Sequence, residues 1–196
     1  SVYTNLIYQS ILNNTNHKYK AGLSFQYDQF DENVQGRDYE RNETVPGAFF
    51  EYTYTGSEKF SAVFGLRGDY HNNHGVFATP RMHLRYAATD QTVLRASLGR
   101  GQKTANIFAE NIGVFASNRD IVIHSENNDT PYGLEAEAAW NLGLNLTQDI
   151  NLGSKTASWG LDFYHTRFQN QIIADYERSP QELHLYNLDG KSYSNS

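Results

Sequence analysis

Residues 80–106 alternate apolar and polar side chains along two runs, separated by a short polar break at residues 89–91. Because side chains two residues apart share one face of a β-strand, this pattern predicts two strands joined by a hairpin turn. One face of the predicted hairpin is apolar, with Met82, Leu84, Tyr86, Leu94, Ala96 and Leu98. The opposite face carries Arg81, His83, Arg85, Arg95 and Ser97. Any fold of this chain must therefore give one sheet an apolar face and an arginine-bearing face.

Two architectures satisfy that requirement. In a soluble β-sandwich the apolar face is the core and the arginines meet solvent. In a transmembrane β-barrel the apolar face meets lipid and the arginines line a wet interior. Alternation by itself does not distinguish them, so the remainder of the chain has to.

The same alternation recurs along the chain and predicts about nine strands. They lie within residues 2–13, 18–30, 45–55, 59–71, 80–101, 139–149, 157–177 and 182–188. Short polar turns separate some of these strands, whereas residues 31–44, 72–79 and 102–136 are predicted to be long loops. Short turns at one rim and long loops at the other are typical of bacterial outer-membrane barrels. A Greek-key sandwich has no reason to sort its loops in this way.

Charge placement favours the membrane alternative. The polar side of the alternation carries Arg67, Arg81, Arg85 and Arg95, and we predict that all four face a lumen. An arginine facing lipid near the midplane costs roughly 2–4 kcal/mol, which this arrangement avoids. The other polar-face residues are mostly Gly, Ser, Thr, Asn and Gln, with little of the lysine typical of a solvated sheet. The residues thus predict an all-β, antiparallel up-and-down transmembrane β-barrel.

Several function classes are excluded by composition and motif spacing. A formal net charge of -6 without a basic run argues against a nucleic-acid partner. The absence of Cys rules out disulfides and thiolate chemistry. Residues 99–104 lack the spacing of a phosphate loop and no nucleophile elbow occurs, so we predict no catalytic residue and no cofactor. The chain opens on a strand-like run, from which we expect an internal piece of a longer protein.

Three ordered motifs carry a family resemblance. The central hairpin has Pro80, Arg81, Tyr86, Leu94, Arg95, Ala96, Ser97, Gly99 and Gly101. A later strand opens with Glu137, Ala139, Trp140, Asn141, Gly143 and Leu144, and the next contains Asp162, Tyr164, Thr166, Phe168, Asn170 and Gln171. With these motifs in this order, residues 45–196 resemble the TonB-dependent receptors of Gram-negative outer membranes, specifically the Bacteroidetes kind. Residues 1–44 resemble them more loosely.

The resemblance implies a fold, a location and partners. Barrels of this family have about 22 strands, so residues 1–196 would be part of one barrel domain, without the family's plug domain and TonB box. It implies active import, across the outer membrane, of a large scarce nutrient such as a ferric siderophore, haem or cobalamin. The implied partners are the TonB complex acting through the plug, outer-membrane lipid, a small-molecule or chelate ligand and a surface lipoprotein.

The predicted external loops hold the candidate ligand contacts, because loops on a rigid scaffold carry most binding functions. These candidates are Arg37, Tyr39, Arg41, His71, His74, Phe77, Phe108, Phe115 and Arg119. Imidazoles three residues apart, as at His71 and His74, can converge on a metal or a haem iron, although a plain polar turn explains them too. We interpret His83 and His124 as isolated residues of the lumen and a loop, and predict no metal centre.

Two alternatives remain open at this point. A self-contained small outer-membrane barrel with a structural or adhesion role would close an even number of strands within these residues. A soluble β-sandwich that binds carbohydrate through its aromatic residues would bury the apolar face between two sheets.

Overall fold

The computed structural model describes residues 1–125 and 130–196. Most of them are in strands: β1 Val2–Ile11, β2 His17–Val34, β3 Arg37–Thr55, β4 Phe60–His71, β5 Gly75–Ala87, β6 Thr92–Lys103, β7 Asp120–Ile123, β8 Glu137–Leu152, β9 Lys155–Asn170, β10 Ile172–Asp175, β11 Glu182–Asn187 and β12 Ser192–Asn195. A four-residue helix α1, Ile107–Glu110, and two 3₁₀ turns, Ile112–Ala116 and Pro131–Gly133, lie between β6 and β8. In the described ranges, no helix has the length and apolar character needed to cross a membrane.

Nine of the strands form one antiparallel sheet, which we call the wall. Its order is β1-β2-β3-β4-β5-β6-β8-β9-β12, so each strand pairs with its neighbours along the chain except where β7 and β10–β11 are inserted. Over residues 1–125 and 130–196 the sheet does not close, and β1 and β12 are its two edges. The predicted antiparallel up-and-down barrel segment is confirmed, and the described strands do not form a small closed barrel.

The register of the wall keeps the two predicted faces apart. Phe64 lies opposite Met82, and Leu144 lies opposite Ala96 and Phe163, so apolar side chains form continuous rows across the strands. The side chains of these rows remain uncovered: Phe64 is 45% exposed and Leu144 is 47% exposed. A soluble sandwich would have sealed them beneath a second sheet. The exposed apolar face therefore supports a wall that meets lipid.

Arg67, Arg81, Arg85 and Arg95 share the polar face of the wall, as predicted. Arg67 donates to both oxygens of Asp69 and to Ser24 Oγ, at distances between 2.7 and 3.0 Å. Each of the other three arginines also has a hydrogen-bond partner. Arg81 pairs with the Glu51 carboxylate, Arg85 donates to the Glu58 carbonyl oxygen, and Arg95 donates to the side chains of Asn145 and Thr147. This pairing lowers the cost of placing cations along a confined wet surface.

One arginine departs from this partition. Arg100 lies on the apolar side of the alternation, opposite Trp140, near the end of β6 that leads into the long loop. Its guanidinium donates to Gln169 Oε1 and to the Ala78 carbonyl oxygen, both at 2.9 Å. Because the cost of a lipid-side arginine falls towards the interface, Arg100 marks the outer limit of the apolar band.

Close packing of the wall depends on glycine at Gly22. A Cβ atom there would lie 2.5 Å from the Leu6 carbonyl oxygen and 2.4 Å from the ring of Phe49, which lies directly opposite on β3. Neither distance is compatible with a real side chain, so the ring of Phe49 occupies the space that glycine leaves free.

Two of the predicted loops are wrong. Residues 31–44 continue β2 and β3 as a long hairpin whose turn, Gln35 and Gly36, has positive φ angles of 52° and 75°. Such turns match the twist of paired strands. Residues 72–79 likewise reduce to a tight turn, since β5 begins at Gly75. The charged residues of 31–44 resemble a loop because they lie beyond the apolar band, where neither face needs apolar side chains.

The predicted strand at 182–188 exists as β11, but it is not part of the wall. It forms a separate three-stranded sheet of order β10-β11-β7, antiparallel to β10 and parallel to β7. This sheet and the loop between β6 and β8 lie together, and we call residues 104–125, 130–136 and 172–187 the loop cap. The predicted long irregular stretch at 102–136 is confirmed in outline for residues 102–125 and 130–136, with short elements inside it, and residues 126–129 lie outside the described residues.

Candidate functional site

The loop cap has a hydrophobic core of its own. Its most buried side chains are Ile107, Leu134, Leu183 and Leu185, each at most 2% exposed. They come from both insertions of the wall, so burial of these side chains fixes the two insertions against each other. Val34 and Tyr39 of the β2–β3 hairpin pack against the same core. The cap is thus a folded unit rather than a set of separate loops.

The turn of the β2–β3 hairpin is hydrogen-bonded to the free edge of β7. Nε2 of Gln35 donates to the Arg119 carbonyl oxygen at 3.0 Å, and Oε1 of Gln35 accepts from the Ile121 N–H at 3.2 Å. One side-chain amide thereby supplies the pair of bonds that a neighbouring strand would make. This contact satisfies an edge that would otherwise present unpaired backbone groups.

A buried ionic and aromatic network joins the hairpin to the cap below this contact. Arg41 donates to Glu32 at 2.7 Å and to Glu43 at 3.0 Å, and its guanidinium lies 3.7 Å from the centre of the Phe30 ring. The hydroxyl of Tyr132 accepts from Arg41 and donates to Glu32. The Arg41 side chain is only 7% exposed, so its charge depends on these partners for compensation.

The pKa values of this network follow from burial and pairing. Burial, and then the hydrogen bond to Glu32, raise the pKa of the Tyr132 hydroxyl well above its usual range. For Glu43, burial favours the neutral acid, but hydrogen bonds from His71 and Arg41 outweigh it and lower the pKa of this carboxyl. At neutral pH the tyrosine is therefore neutral and the glutamate charged. Tyr132 also has a positive φ of 59°, which is unusual for a bulky residue and is held by these side-chain bonds.

His71 and His74 lie together next to this network, at the turn between β4 and β5. Nδ1 of His71 accepts from the Asn73 N–H at 3.1 Å, which leaves Nε2 facing Glu43 at 3.5 Å. The two imidazole ring centres are 4.9 Å apart, and Phe77 packs beside both. Burial and then the charge of His71 lower the pKa of His74 to about 4, so its ring is neutral at physiological pH.

The other predicted contact residues divide by exposure. Phe108 is buried in the cap core and makes an edge-to-face contact with Tyr39, so these two rings support the loops. Arg37 and Phe115 are exposed, and Arg119 is half-buried with a 3.1 Å hydrogen bond to the Tyr176 carbonyl oxygen. A polar cleft of about 580 Å³ separates the outer hairpin from the β4–β5 turn. Its walls include Gln29, Asp31, Glu40, Arg41, Asn42, Asn72 and Asn73.

Sequence reasoning missed the residues that connect distant segments. Tyr132 lies 91 positions from Arg41 and 100 from Glu32. His124, predicted to be isolated, bonds instead to His184, which is 60 residues away. No local pattern signals such partners, because only the pairing of β7 with β11 brings them together. Among the described residues, no three His, Cys, Asp or Glu side chains gather around a point that could hold a metal ion.

Comparison with known proteins gives a consistent result. A family model described as "TonB dependent receptor-like, beta-barrel" matches residues 2–195. A search of curated protein sequences finds no match. Among solved structures, the chain is similar to the siderophore receptor PirA from Pseudomonas aeruginosa, with a TM-score of 0.70 and 14% identity over 98% of this chain and 35% of that one.

Two further solved structures have the same fold. A mutant of the ferric enterobactin receptor from Pseudomonas aeruginosa, in complex with enterobactin, has a TM-score of 0.70 and 15% identity over 98% of this chain and 32% of its own. The copper transporter OprC has a TM-score of 0.61 and 15% identity over 97% of this chain and 33% of its own. The chain therefore spans about a third of the length of the solved structures it matches.

Proposed function

This chain belongs to the TonB-dependent receptor family, as a segment of an outer-membrane β-barrel, and from that premise we propose that it serves active import of a large scarce nutrient. The substrate we propose is a ferric siderophore, haem or cobalamin. The family is one of transport receptors rather than enzymes, and we propose no catalytic role for any residue. The match across residues 2–195 is the observation that carries this proposal.

The two faces of the wall and the folded cap support this assignment. An apolar face that stays uncovered suits contact with lipid, and a polar face of paired charges suits a water-filled interior. We propose that Arg67, Arg81, Arg85 and Arg95 face that interior. Siderophore receptors and a copper transporter among the structural neighbours favour a metal-containing cargo. The wall is then a passive scaffold, and the loops above it supply recognition.

Within the loops, we propose that exposed and half-buried side chains contact the cargo and that fully packed ones position them. Arg37, Phe115 and Arg119 offer two cations and an aromatic ring, which suit an anionic and partly apolar chelate. Arg41 and His71 are buried in the network beneath and hold the hairpin in place. His74, Phe77, Tyr39 and Phe108 complete that support.

The remaining proposals concern the rest of the receptor. We propose that residues 1–196 form part of one barrel domain and that a plug domain elsewhere in the protein connects it to the TonB complex. A surface lipoprotein is a further proposed partner, and the motifs at residues 80–101 and 137–171 favour a Bacteroidetes origin. Each follows from the family resemblance and is open to direct test.

Uptake by the full-length receptor tests the function. We would express it in a strain that lacks its own uptake systems and measure entry of a ⁵⁵Fe-labelled siderophore, haem and cobalamin, with and without TonB. The expected result is saturable, TonB-dependent uptake of one of the three. Uptake of all three at the level of empty vector would contradict the proposal.

Alanine variants in the cap test the contact residues. We expect Arg37→Ala, Phe115→Ala and Arg119→Ala each to weaken cargo binding roughly tenfold, as expected when a hydrogen bond or packed ring to a charged ligand is lost. Arg178→Ala is the matched control, because Arg178 is an exposed cap arginine in the β10–β11 turn. Equal affinity in all four variants would place recognition elsewhere in the receptor.

A further inference from the structure

The three-stranded sheet of the loop cap has two unlike faces. Leu183, Leu185 and Ile121 point into the cap core. The opposite face carries the residues that alternate with them, and it is rich in imidazole and carboxylate groups. Its members include Asp120, His124, Asp175, Glu182, His184 and Tyr186.

Two histidines converge on this polar face. Nε2 of His124 lies 2.8 Å from Nδ1 of His184, with the two rings nearly parallel at 24°. His184 is only 7% exposed, while His124 is half-buried and forms the open side of the pair. Parallel pairing of β7 with β11 fixes the distance between the backbones of the two histidines. Val122 is in register with His184, and His124 follows two residues later on the same face.

Glu182 orients the inner histidine. Its carboxylate oxygen Oε2 lies 3.2 Å from Nε2 of His184, on the far side of that ring from His124. A carboxylate there accepts the Nε2 proton, so Nδ1 of His184 accepts the hydrogen bond from His124 Nε2–H. A metal ion bound between the two rings takes the place of that shared proton, which is released to solvent. Carboxylate–histidine pairs of this kind orient the imidazole ligands of metal ions.

We infer that His124 Nε2 and His184 Nδ1 bind a divalent transition-metal ion, and that Cu²⁺ binds most tightly. Imidazole nitrogens bind such metals at about 2.0–2.1 Å, so two neighbouring ligands at a right angle lie about 3 Å apart. The observed separation of 2.8 Å is close to that value. Imidazole suits Zn²⁺, Ni²⁺ and Cu²⁺, and Cu²⁺ has the highest affinity of these for nitrogen sites.

The charge around the pair favours a cation. Asp120 and Glu182 are directly opposite each other in register, and Asp175 is opposite His184. Like charges across neighbouring strands repel, and a bound cation relieves that repulsion. Because the described residues provide no set of three ligands, the protein supplies two nitrogens and water completes the coordination.

This site is separate from the proposed cargo contacts and serves a different purpose. A metal held between His124 of the β7 end and His184 of β11 cross-links two strands that are 60 residues apart in sequence. It binds the folded cap and not the unfolded loop, so it stabilises the parallel pairing by mass action. The inference stands whether or not the cargo contains a metal.

Titration of the full-length, detergent-purified receptor with copper sulfate tests the inference. Calorimetry gives the affinity, and electron paramagnetic resonance counts the coordinated nitrogens. We expect a site with two imidazole nitrogens in the unmodified receptor. In His124→Ala one nitrogen is lost and binding weakens roughly tenfold or more, the order seen when metal-site groups are removed. His83→Ala, an exposed histidine of the wall, is the matched control and should behave as the unmodified receptor does.

Glu182→Gln separates orientation from coordination. We expect it to weaken Cu²⁺ binding roughly 10- to 100-fold while both nitrogens remain in the spectrum. His124 is half-buried, so its replacement preserves the core, and hydrogen exchange of the Leu183 and Leu185 amides confirms that the cap stays folded. Equal Cu²⁺ affinity in the unmodified receptor, His124→Ala and His83→Ala would overturn the inference, as would a signal with no imidazole nitrogen.

Discussion

The hydroxyl of Tyr132 should determine how firmly the loop cap is held to the β2–β3 hairpin. Tyr132→Phe keeps the ring, its contact with Phe108 and the unusual backbone of this residue, and removes only the oxygen atom. That oxygen accepts from Arg41 and donates to Glu32, whose side chains are 7% and 20% exposed. The substitution therefore leaves two buried charged groups with one partner fewer.

The size of the effect follows from those partners. Loss of a hydrogen bond to a charged group costs about 1.5–3 kcal/mol. At a site that excludes water, no water molecule replaces the lost bond, so most of this free energy is lost from the folded state. At about 1.4 kcal/mol for each factor of ten, the cap of the variant should open roughly 10 to 150 times more often than the original. Strands β4 to β6 of the wall should be unaffected, because Tyr132 and its two partners Glu32 and Arg41 all lie outside them.

Hydrogen exchange measured by mass spectrometry in detergent or nanodiscs resolves this difference. We expect faster exchange in peptides that cover β7 and residues 130–136, and unchanged exchange in β4 to β6. Tyr176→Phe is the matched control, since it removes a cap hydroxyl whose one described hydrogen bond, to Asn111 at 3.2 Å, is exposed. If the peptides of the loop cap exchange at the same rate in Tyr132→Phe and Tyr176→Phe, the ionic network does not hold the cap and the reasoning fails.

Three other perturbations test the wall and the β4–β5 turn. Leu144→Arg on the apolar face should destabilise the folded receptor by about 2–4 kcal/mol, measured by urea unfolding in liposomes. Gly22→Ala should destabilise the folded receptor by about 1–3 kcal/mol, because the added methyl group overlaps the ring of Phe49. The pKa of His74 is lowered to about 4, so the stability it contributes is complete above its ordinary value of 6.5 and declines as the pH falls from 6.5 towards 4. The protection factors of amides in the β4–β5 turn, which correct for the slower intrinsic exchange at low pH, should therefore fall over that range, and His74→Asn should remove this part of the pH dependence.

Each of these has its own control. Asn145→Arg places the same charge on the polar face, one residue from Leu144, and should be tolerated; equal loss in both would refute the assignment of faces. Gly153→Ala alters an open turn with no atom near the added carbon, so only the strain of its positive φ remains. For His74, the measurement belongs between pH 6.5 and 5, because the pKa of Glu43 is lowered from 4.5 and this carboxyl titrates below that window. A flat profile there in the unmodified receptor would contradict the prediction.

The wall was predictable because side-chain parity is a local property of a strand. The alternation of neighbouring residues such as Leu84 and Arg85 assigns each side chain to one of the two faces. The free-energy cost of an arginine in lipid then identifies the arginine-bearing face as the one that faces water. The same logic fails for residues 31–44, where the hairpin rises beyond the apolar band and both of its faces are polar. A Gln–Gly turn is also a weaker signal than Asn–Gly, so the sequence predicts a loop here rather than one hairpin.

The cap was not predictable for a different reason. Its core unites Phe108, Leu134 and Leu183, whose positions in sequence carry no information about one another. Parallel pairing of β7 with β11 leaves no hairpin signal, and the four residues of β7 are too few to show a period. Tyr39, which the sequence predicts as a ligand contact, is partly buried and packs against this interior.

The parallel pairing of β7 with β11 also sets an order of assembly. The two strands leave the wall on either side of the β8–β9 hairpin, so their ends become neighbours only after that hairpin has formed and docked on β6. Contacts between distant segments are slow to form, because chain closure is unfavourable until such contacts compensate for it. We therefore expect the strands of the wall to pair first and the loop cap to reach its native structure last.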